Sequence, residues 1–449
     1  MVFHTTPHRS RDDGSLRPRD PVERMRVSPS TKPPRRGRHT VARHGMLKSP
    51  HPFAQIMKII GVMLSVVLVS GAGVAAYAAF DLTARFTGDA IEIEGQDAVP
   101  PDIGAIEGGV NLLLVGTDAC EVAYQASFGN RCDGPDANGE RNDVNMLVHI
   151  SANPRRVTVI SLPRDLMIPI PECTDPATGK ASSAMSKQPL NVSYFYGGLN
   201  CVVQTVQKLT GIPIQFTAKI TWGGVIEITN AIGGVEVCLA NGIKDPDTGI
   251  NWPAGNRTIQ GMDALQFLRT RHGVGNGGDL GRISNQQQYM SRLARKLVSE
   301  EVLSNPATLF KLAATAVDNI TPSQNLTNPL TLVQIALAVK NVPFNEIVFI
   351  QYPVVEDPDD PNKVVPNVSA AEALWAALAT NQQLQLTGEA SQGDGVVVVE
   401  PTTPVTPNPA ASATPGATPA PTETAIALPS AITGQTADQE TCSNGNVKG

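Results

Sequence analysis

Four short stretches of this 449-residue chain carry charged groups that an apolar core would not demand. The first is GTD, ending in Asp118. The second is RND, with Arg141 and Asp143. The third is PRD, with Arg164 and Asp165. The fourth, FLRTRHGVGNGGDLGRISNQQQ, wraps Arg269, Arg271 and Arg282 around a glycine-rich turn and runs on to Gln286. Two acids at strand ends, Asp118 and Asp143, can share a hard cation such as Mg²⁺, which prefers carboxylate and phosphate oxygens. Arginines grip phosphates with two parallel hydrogen bonds and do not lose their charge. Arg282 opens a helix, Gln286 lies one turn later on the same face, and a helix N-terminus favours an anion. Together these groups describe a pyrophosphate site with a metal. Taken singly, each is ordinary: an Asp ending a strand caps a turn, adjacent Arg and Asp form surface ion pairs, and His272 is a solvated cap. Their co-occurrence carries the reading.

These groups need elements to position them. GGVNLLLVGTD is a continuous apolar run, the pattern of a strand buried on both faces, with Asp118 at its C-terminal end. RNDVNMLVHIS and RRVTVISLPRD supply two more strands, the second breaking at Pro163. A helix is predicted from about Cys201 to Leu209, closed by Gly211. Next come a strand in IPIQFTAKI, a helix in WGGVIEITNAIGG and a strand in VEVCL. GMDALQFLRTRH is helical, and Ile283, Met290, Leu293 and Leu297 keep a helical period after the glycine turn. Further helices are expected near 307–318, 328–340 and 369–379, with a strand in EIVFIQYP. Strands alternating with helices predict an α/β layered domain, whose ligand groups collect at the C-terminal ends of strands.

The formal net charge of -6 is unevenly spread. Residues 1–58 hold 13 Lys and Arg against 4 Asp and Glu, and the remainder is acidic. Between them, Ile59 to Phe80 carries no charge over 22 residues, which at ~1.5 Å per residue is about 33 Å and spans a bilayer core. A cleaved signal peptide would have a shorter apolar core and a shorter basic lead, so an uncleaved anchor is expected. The basic flank stays in the cytoplasm, so the rest of the chain faces outside the plasma membrane. All six cysteines follow the span, as an oxidising compartment would favour. Six cysteines allow 15 connectivities. Short loops favour Cys120–Cys132 and Cys173–Cys201, leaving Cys238–Cys442 to tie the tail to the domain. The expected organisation is a basic disordered segment (1–58), a transmembrane helix (59–80), a linker (81–107), a catalytic domain (108–385) and a disordered Pro/Thr/Ala-rich tail (386–449).

NLLLVGTD, RNDVNMLVHI, VISLPRDLMIPIP, LNVSYFYGG and ALQFLRTRH…GDLGRISNQQQ stand in the order and spacing of the LytR–CpsA–Psr family, which this chain resembles over about residues 108–300. The resemblance implies a central mixed sheet with helices on both faces. It implies a membrane-anchored, extracytoplasmic, Mg²⁺-dependent phosphotransferase that moves a glycopolymer from a polyprenyl-pyrophosphate carrier to peptidoglycan. It places the metal on Asp118 and Asp143, and the pyrophosphate on Arg141, Arg164, Arg269, Arg271, Arg282 and Gln286. Asp118, Asp143, Arg164 and Arg271 would carry the catalysis. The chain departs from the family's KIN-like motif, because Pro189 stands where a basic residue precedes Leu190-Asn191. Two other functions remain open on the sequence: a lipid-pyrophosphate hydrolase using the same groups, and a non-enzymatic cell-wall regulator or scaffold. The basic leader lacks any folded nucleic-acid motif, so no nucleic-acid partner is expected.

Overall fold

The structure is a computed structural model, and it describes residues 52–88, 90–94, 109–128, 130–134, 139–298, 306–399 and 425–446. A seven-stranded sheet organises the domain. Its spatial order is Ile320–Pro322, Phe216–Thr221, Val110–Thr117, Asn142–Ile150, Val157–Leu162, Ile347–Gln351 and Gly434–Thr436. Val110–Thr117 runs parallel to Phe216–Thr221, and Val157–Leu162 parallel to Ile347–Gln351; the other pairs are antiparallel. The sheet is therefore mixed.

Alternate residues of the central strands feed two cores. Leu113, Val115, Leu147 and Ile160 pack against Leu199, Val202 and Val206 of the helix Ser193–Thr210, and against Leu374 of the helix Val368–Ala379. Val110, Met146 and Val159 face the opposite layer, with Met290 of the helix Asp279–Val298 and Val339 of the helix Pro329–Lys340. Helices thus cover both faces, and each central strand is buried on both sides, as its unbroken apolar run predicts. A second, four-stranded sheet joins Gly255–Ile259, Val235–Leu239, Thr441–Ser443 and Val396–Val398.

The apolar helix runs from Pro52 to Gly88, beyond the expected 59–80 at both ends. Gln, Met, Lys, Leu, Ala and Arg in its flanks are good helix formers, and Asp81 pairs with Arg85 one turn on at 3.1 Å. Its stretch Gln55–Gly88 is long and apolar enough to cross a membrane. Residues 1–51 of the expected basic segment lie outside the described residues.

The tail beyond 385 needs correction. Residues 401–424 lie outside the described residues, but the parts on either side are folded. Gly434–Thr436 adds to the free edge of Ile347–Gln351, and Thr441–Ser443 pairs with Val396–Val398 and Val235–Leu239. Leu428, Ile432, Ala437 and Cys442 are buried. Strand addition uses backbone groups that every residue carries, so a Thr/Ser/Gly-rich composition conceals it. Cys120–Cys132 and Cys173–Cys201 pair as their short loops suggested, and the remaining pair, Cys238–Cys442, forms as well.

Candidate active site

The site forms where Val110–Thr117 ends and Asn142–Ile150 begins. The two strands pair Gly116 with Val144 but Thr117 with Asn142, so Asp143 is an extra residue opposite the break. A bulge of this kind re-aims a side chain and strengthens the local twist. Gly116 is required there, because a Cβ would stand 2.9 Å from that of Val144. The neighbour Asn142 is fully buried and ties the strand to the next elements. Its Nδ2 donates to Asn145 Oδ1 at 2.7 Å and to the Leu190 carbonyl at 3.2 Å, and its Oδ1 accepts from the Tyr194 amide at 3.1 Å.

Asp118 follows the strand directly and is buried. The Arg141 amide donates to its Oδ1 at 2.7 Å, and Arg131 Nε to its Oδ2 at 2.6 Å. Arg131 stands beside Cys132, so the Cys120–Cys132 disulfide carries this cation into the pocket. Asp143 Oδ1 accepts from Arg164 Nη1 at 2.9 Å, and the Asp143 carbonyl accepts from Arg282 Nη2 at 3.0 Å. Asp279 sits between two arginines, 2.7 Å from Arg282 Nη2 and 3.5 Å from Arg164 Nε. Asp165 pairs with Arg164 at 3.3 Å and with Lys363 at 2.5 Å.

The fourth stretch is held by neighbours that the sequence did not flag. The Arg269 guanidinium lies 3.6 Å from the centre of the Trp222 ring, a geometry that favours a planar cation. Asp245 Oδ2 accepts from Thr270 Oγ1 at 2.6 Å and from the Arg271 amide at 3.0 Å, which fixes the turn between the two arginines. The glycine turn is clamped by the folded tail: the Gly275 amide donates to the Asn444 carbonyl at 2.9 Å, and the Asn276 amide to the Gly393 carbonyl at 3.0 Å. Gly275 has φ +50°, and a Cβ there would meet the Gly393 oxygen at 2.1 Å.

The result is a pocket of about 260 Å³ lined by Arg131, Arg141, Arg164, Arg269, Arg271 and Arg282, with Asp118 and Asp143. Its charges perturb one another. Burial would raise the Asp143 pKa, but Arg164, Arg282 and Arg271 outweigh it and hold the carboxyl below its usual range. Burial lowers Arg269, helped by repulsion from Arg282 and Arg271 against partial relief by Asp143 and Asp118; the pKa is pushed down to about 10. Burial and the charges of Arg164 and Arg282 lower Arg271 likewise. Arg164 goes the other way: burial opposes its charge, yet Asp143, Asp279 and Asp165 together raise its pKa. Crowded, partly desolvated cations are a site whose repulsion an anion would relieve.

An apolar slot of about 270 Å³ opens beside this pocket and shares Asp143, Trp222, Arg269 and Arg282 with it. Its walls include Leu114, Met146, Ile228, Leu265 and Met290. Gln286 borders this slot rather than the anion pocket. It is buried and its Nε2 already donates to the Leu268 carbonyl at 2.8 Å, which joins the two arginine-bearing helices. The remaining residues expected at the anion pocket converge on it: Asp118, Arg141, Asp143, Arg164, Arg269, Arg271 and Arg282. Sequence reasoning missed Arg131, whose place beside a half-cystine was a usable signal. It also missed Trp222, Asp245 and Thr270, which nothing local marks.

The donor set suits a hard cation. Asp118 and Asp143 both line the pocket, and each carboxylate oxygen keeps a lone pair beyond its arginine or amide contact. No group of three or more His, Cys, Asp or Glu side chains gathers among the described residues. A Mg²⁺ ion on these two carboxylates would therefore complete its shell with substrate phosphate oxygens and water.

A mixed α/β sheet with an arginine-lined anion pocket at its strand ends, set against an apolar slot, defines the class of domain. The chain belongs to the LytR_cpsA_psr family, whose model matches residues 80–384. It is 29% identical over 323 residues to the cell wall biosynthesis protein LcpA of Corynebacterium glutamicum, covering 68% of this chain and 60% of that protein. It is 29% identical over 165 residues to the polyisoprenyl-teichoic acid–peptidoglycan teichoic acid transferase TagU of Enterococcus faecalis, covering 37% of this chain and 50% of TagU. The chain thus spans under two thirds of the length of each of these relatives. A LytR-Csp2A-Psr enzyme from Actinomyces oris superposes with a TM-score of 0.47 at 24% identity, over 65% of this chain and 95% of that one.

Proposed function

We propose that the chain is an extracytoplasmic phosphotransferase that joins a glycopolymer, carried on a polyprenyl pyrophosphate, to peptidoglycan and releases polyprenyl phosphate. One observation carries the reading: the arginine pocket and the apolar slot are neighbours that share Asp143, Arg269 and Arg282. A ligand filling both would join an anionic head to an apolar body, as a polyprenyl pyrophosphate does. The names of relatives support the class, since TagU is a teichoic acid transferase and LcpA a cell wall biosynthesis protein. The helix Gln55–Gly88 would anchor the chain in the plasma membrane, with the basic leader inside and the domain outside. Three disulfides fit that oxidising side.

Phosphoryl transfer needs little covalent chemistry from a protein; position and charge neutralisation do most of the catalysis. Arg164 and Arg271 would hold the phosphate under attack. Arg269 and Arg282, at the mouth of the slot, would stabilise the charge that develops on the leaving polyprenyl phosphate. Asp279 lies against both Arg164 and Arg282. Arg131, Arg141 and Asp118 also line the pocket, with Asp118 accepting from Arg131 Nε and the Arg141 amide. Mg²⁺ held by Asp118 and Asp143 would neutralise phosphate oxygens.

The test incubates the purified full chain with a lipid-pyrophosphate saccharide, peptidoglycan and Mg²⁺. Wall-linked glycan and released polyprenyl phosphate are the expected products. Free glycan with no wall-linked product would establish the hydrolase instead. An intact donor after incubation would leave the chain a binding protein.

A further inference from the structure

A groove of about 680 Å³ adjoins the anion pocket, shares Arg164 and Arg271 with it, and shares no lining residue with the apolar slot. Its floor is Asp165, Asp279 and the Gly277–Gly278 turn. One wall is the hairpin Val354–Asp357/Asp360–Pro366, through Val355, Asn362 and Lys363, and the other is the tail segment at Gln392–Gly393. The hairpin is anchored to the site, since the Val364 amide donates to the Asp165 carbonyl at 3.3 Å.

The groove's chemistry differs from that of the pocket beside it. Arg164, Arg271 and Lys363 face Asp165, Asp279 and Glu356, so its formal charges cancel. The cancellation is local: Lys363 pairs with Asp165, and Arg164 with Asp165 and Asp279. A polyanion gains nothing from such a surface. A neutral, hydroxyl- and amide-rich chain does, because Asn276, Asn362, Gln392 and the turn backbone offer hydrogen-bonding groups on both walls. The Gln392 Oε1 is buried without a hydrogen-bond partner, an acceptor that a ligand N–H or O–H would satisfy.

Geometry assigns the ligand. The slot meets the anion pocket at Arg269 and Arg282, and the groove meets it at Arg164 and Arg271. The attacking and leaving oxygens of a phosphoryl transfer lie roughly in line across the phosphorus. With the polyprenyl phosphate leaving toward the slot, the groove, which shares no lining residue with it, is open to the nucleophile.

We propose that this groove is the acceptor subsite, and that it binds a neutral saccharide strand of peptidoglycan with one hydroxyl aimed between Arg164 and Arg271. The proposal rests on the phosphotransferase reading and names the second substrate's place in it. The acceptor hydroxyl oxygen forms a bond to the glycan-side phosphorus. The bond from that phosphorus to the bridging oxygen breaks, and its electron pair leaves on polyprenyl phosphate. The hydroxyl proton passes to Asp279, whose two buried oxygens receive no hydrogen bond although arginines flank them.

The experiment uses the full chain in detergent micelles, a polyprenyl-pyrophosphate saccharide as donor and a soluble, uncross-linked peptidoglycan strand as acceptor. Val355 and Asn362 are exposed hairpin positions that line the groove but not the anion pocket. Val355→Trp and Asn362→Trp each place an indole in the groove. The expected result is an acceptor KM raised at least about tenfold, with the donor KM within about twofold and the melting temperature unchanged, a difference of roughly 1.4 kcal/mol in acceptor binding. Unchanged acceptor KM in both variants overturns the assignment. A raised donor KM with unchanged acceptor KM also overturns it, giving the groove to the donor glycan. If the wild type transfers nothing, the phosphotransferase reading fails by itself, and titration of the strand decides the groove separately. Strand binding weakened about tenfold by either indole sustains the groove, whereas equal binding or none removes it.

Discussion

Replacing Arg269 by lysine keeps the charge and removes the plane. The guanidinium stacks 3.6 Å from the Trp222 ring centre, at the boundary between anion pocket and apolar slot. A stacked guanidinium presents two parallel donors to a phosphate, while an ammonium is a point charge on a flexible stem. Losing one charge-assisted contact costs about 1.5–3 kcal/mol, and losing the stacking a further ~0.5–1 kcal/mol. The sum, about 2–4 kcal/mol, corresponds to roughly 30- to 1000-fold in kcat/KM. The assay is transfer kinetics for Arg269→Lys at low and at high salt, with His272→Gln as the comparison. His272 pairs with Asp247 in the open, with side chains 60% and 76% exposed, and that variant should stay within about twofold at both salts. The loss in Arg269→Lys should persist at high salt, because a desolvated contact is poorly screened. A variant within about threefold of wild type, under 1 kcal/mol, would refute the assignment of this arginine to the phosphate, and with it the main support for the pyrophosphate reading.

Asp118→Asn and Asp143→Asn should each abolish Mg²⁺-dependent transfer while leaving the circular dichroism spectrum native; full activity in both, or activity indifferent to chelation, removes the metal from these carboxylates. Against the effect of burial, Arg164, Arg282 and Arg271 hold the Asp143 pKa below the ordinary carboxylate value in the folded state. Its stabilisation is therefore complete above that value and lost as pH falls through the folded pKa. The gap in melting temperature between wild type and Asp143→Asn should accordingly close in acid, and a gap that widens there contradicts the Arg164 pairing. Cys238→Ser with Cys442→Ser opens a closure of 204 residues and should destabilise the domain by roughly 5 kcal/mol on chain-entropy grounds. An unchanged denaturation midpoint would mean the tail adds nothing to the fold. Ile228→Trp narrows the apolar slot and should raise the KM of a long-chain donor while sparing a short-chain one; equal effects on both would place the hydrocarbon elsewhere.

Much of this architecture was legible because its signals are local. Uninterrupted apolar runs gave the central strands, and breaks at Pro163 and Gly211 gave two of their ends. The helix after Gly198 began earlier than expected, at Ser193, because a kink at Gly197 and Gly198 joins two helical pieces. The charged residues of the site were legible for a related reason: Asp118, Asp143 and Arg164 interrupt or end apolar runs where packing does not call for them. The unread parts depend on contacts distant in sequence. Asp245 fixes the Thr270–Arg271 turn from a short hairpin strand with no distinguishing pattern. The tail strands contribute chiefly backbone hydrogen bonds, and Trp222 reads as core until its ring is found beneath Arg269. Gln286 was read by its spacing from Arg282, which put it on the correct face but not at the anion. One helical turn carries it past the pocket to the Leu268 carbonyl.

The same arrangement explains why the tail belongs to the site although no charged tail residue lines the anion pocket. Arg271 and Arg282 flank a turn rich in glycine, which alone would sample many conformations. The turn's Gly275 and Asn276 amides donate to Asn444 and Gly393, and the Asn446 amide donates back to Gly273 at 2.7 Å. On the helix that follows, Gln288 donates to the Cys238 and Thr441 carbonyls at 2.9 and 3.1 Å. The Cys238–Cys442 disulfide fixes the strand that supplies these acceptors. Ordering entropy lost in the turn is thus offset in the folded state before any anion arrives, so binding need not order it. A pocket of mutually repelling arginines requires such external support, because on the proposed function a phosphate would neutralise it only during turnover.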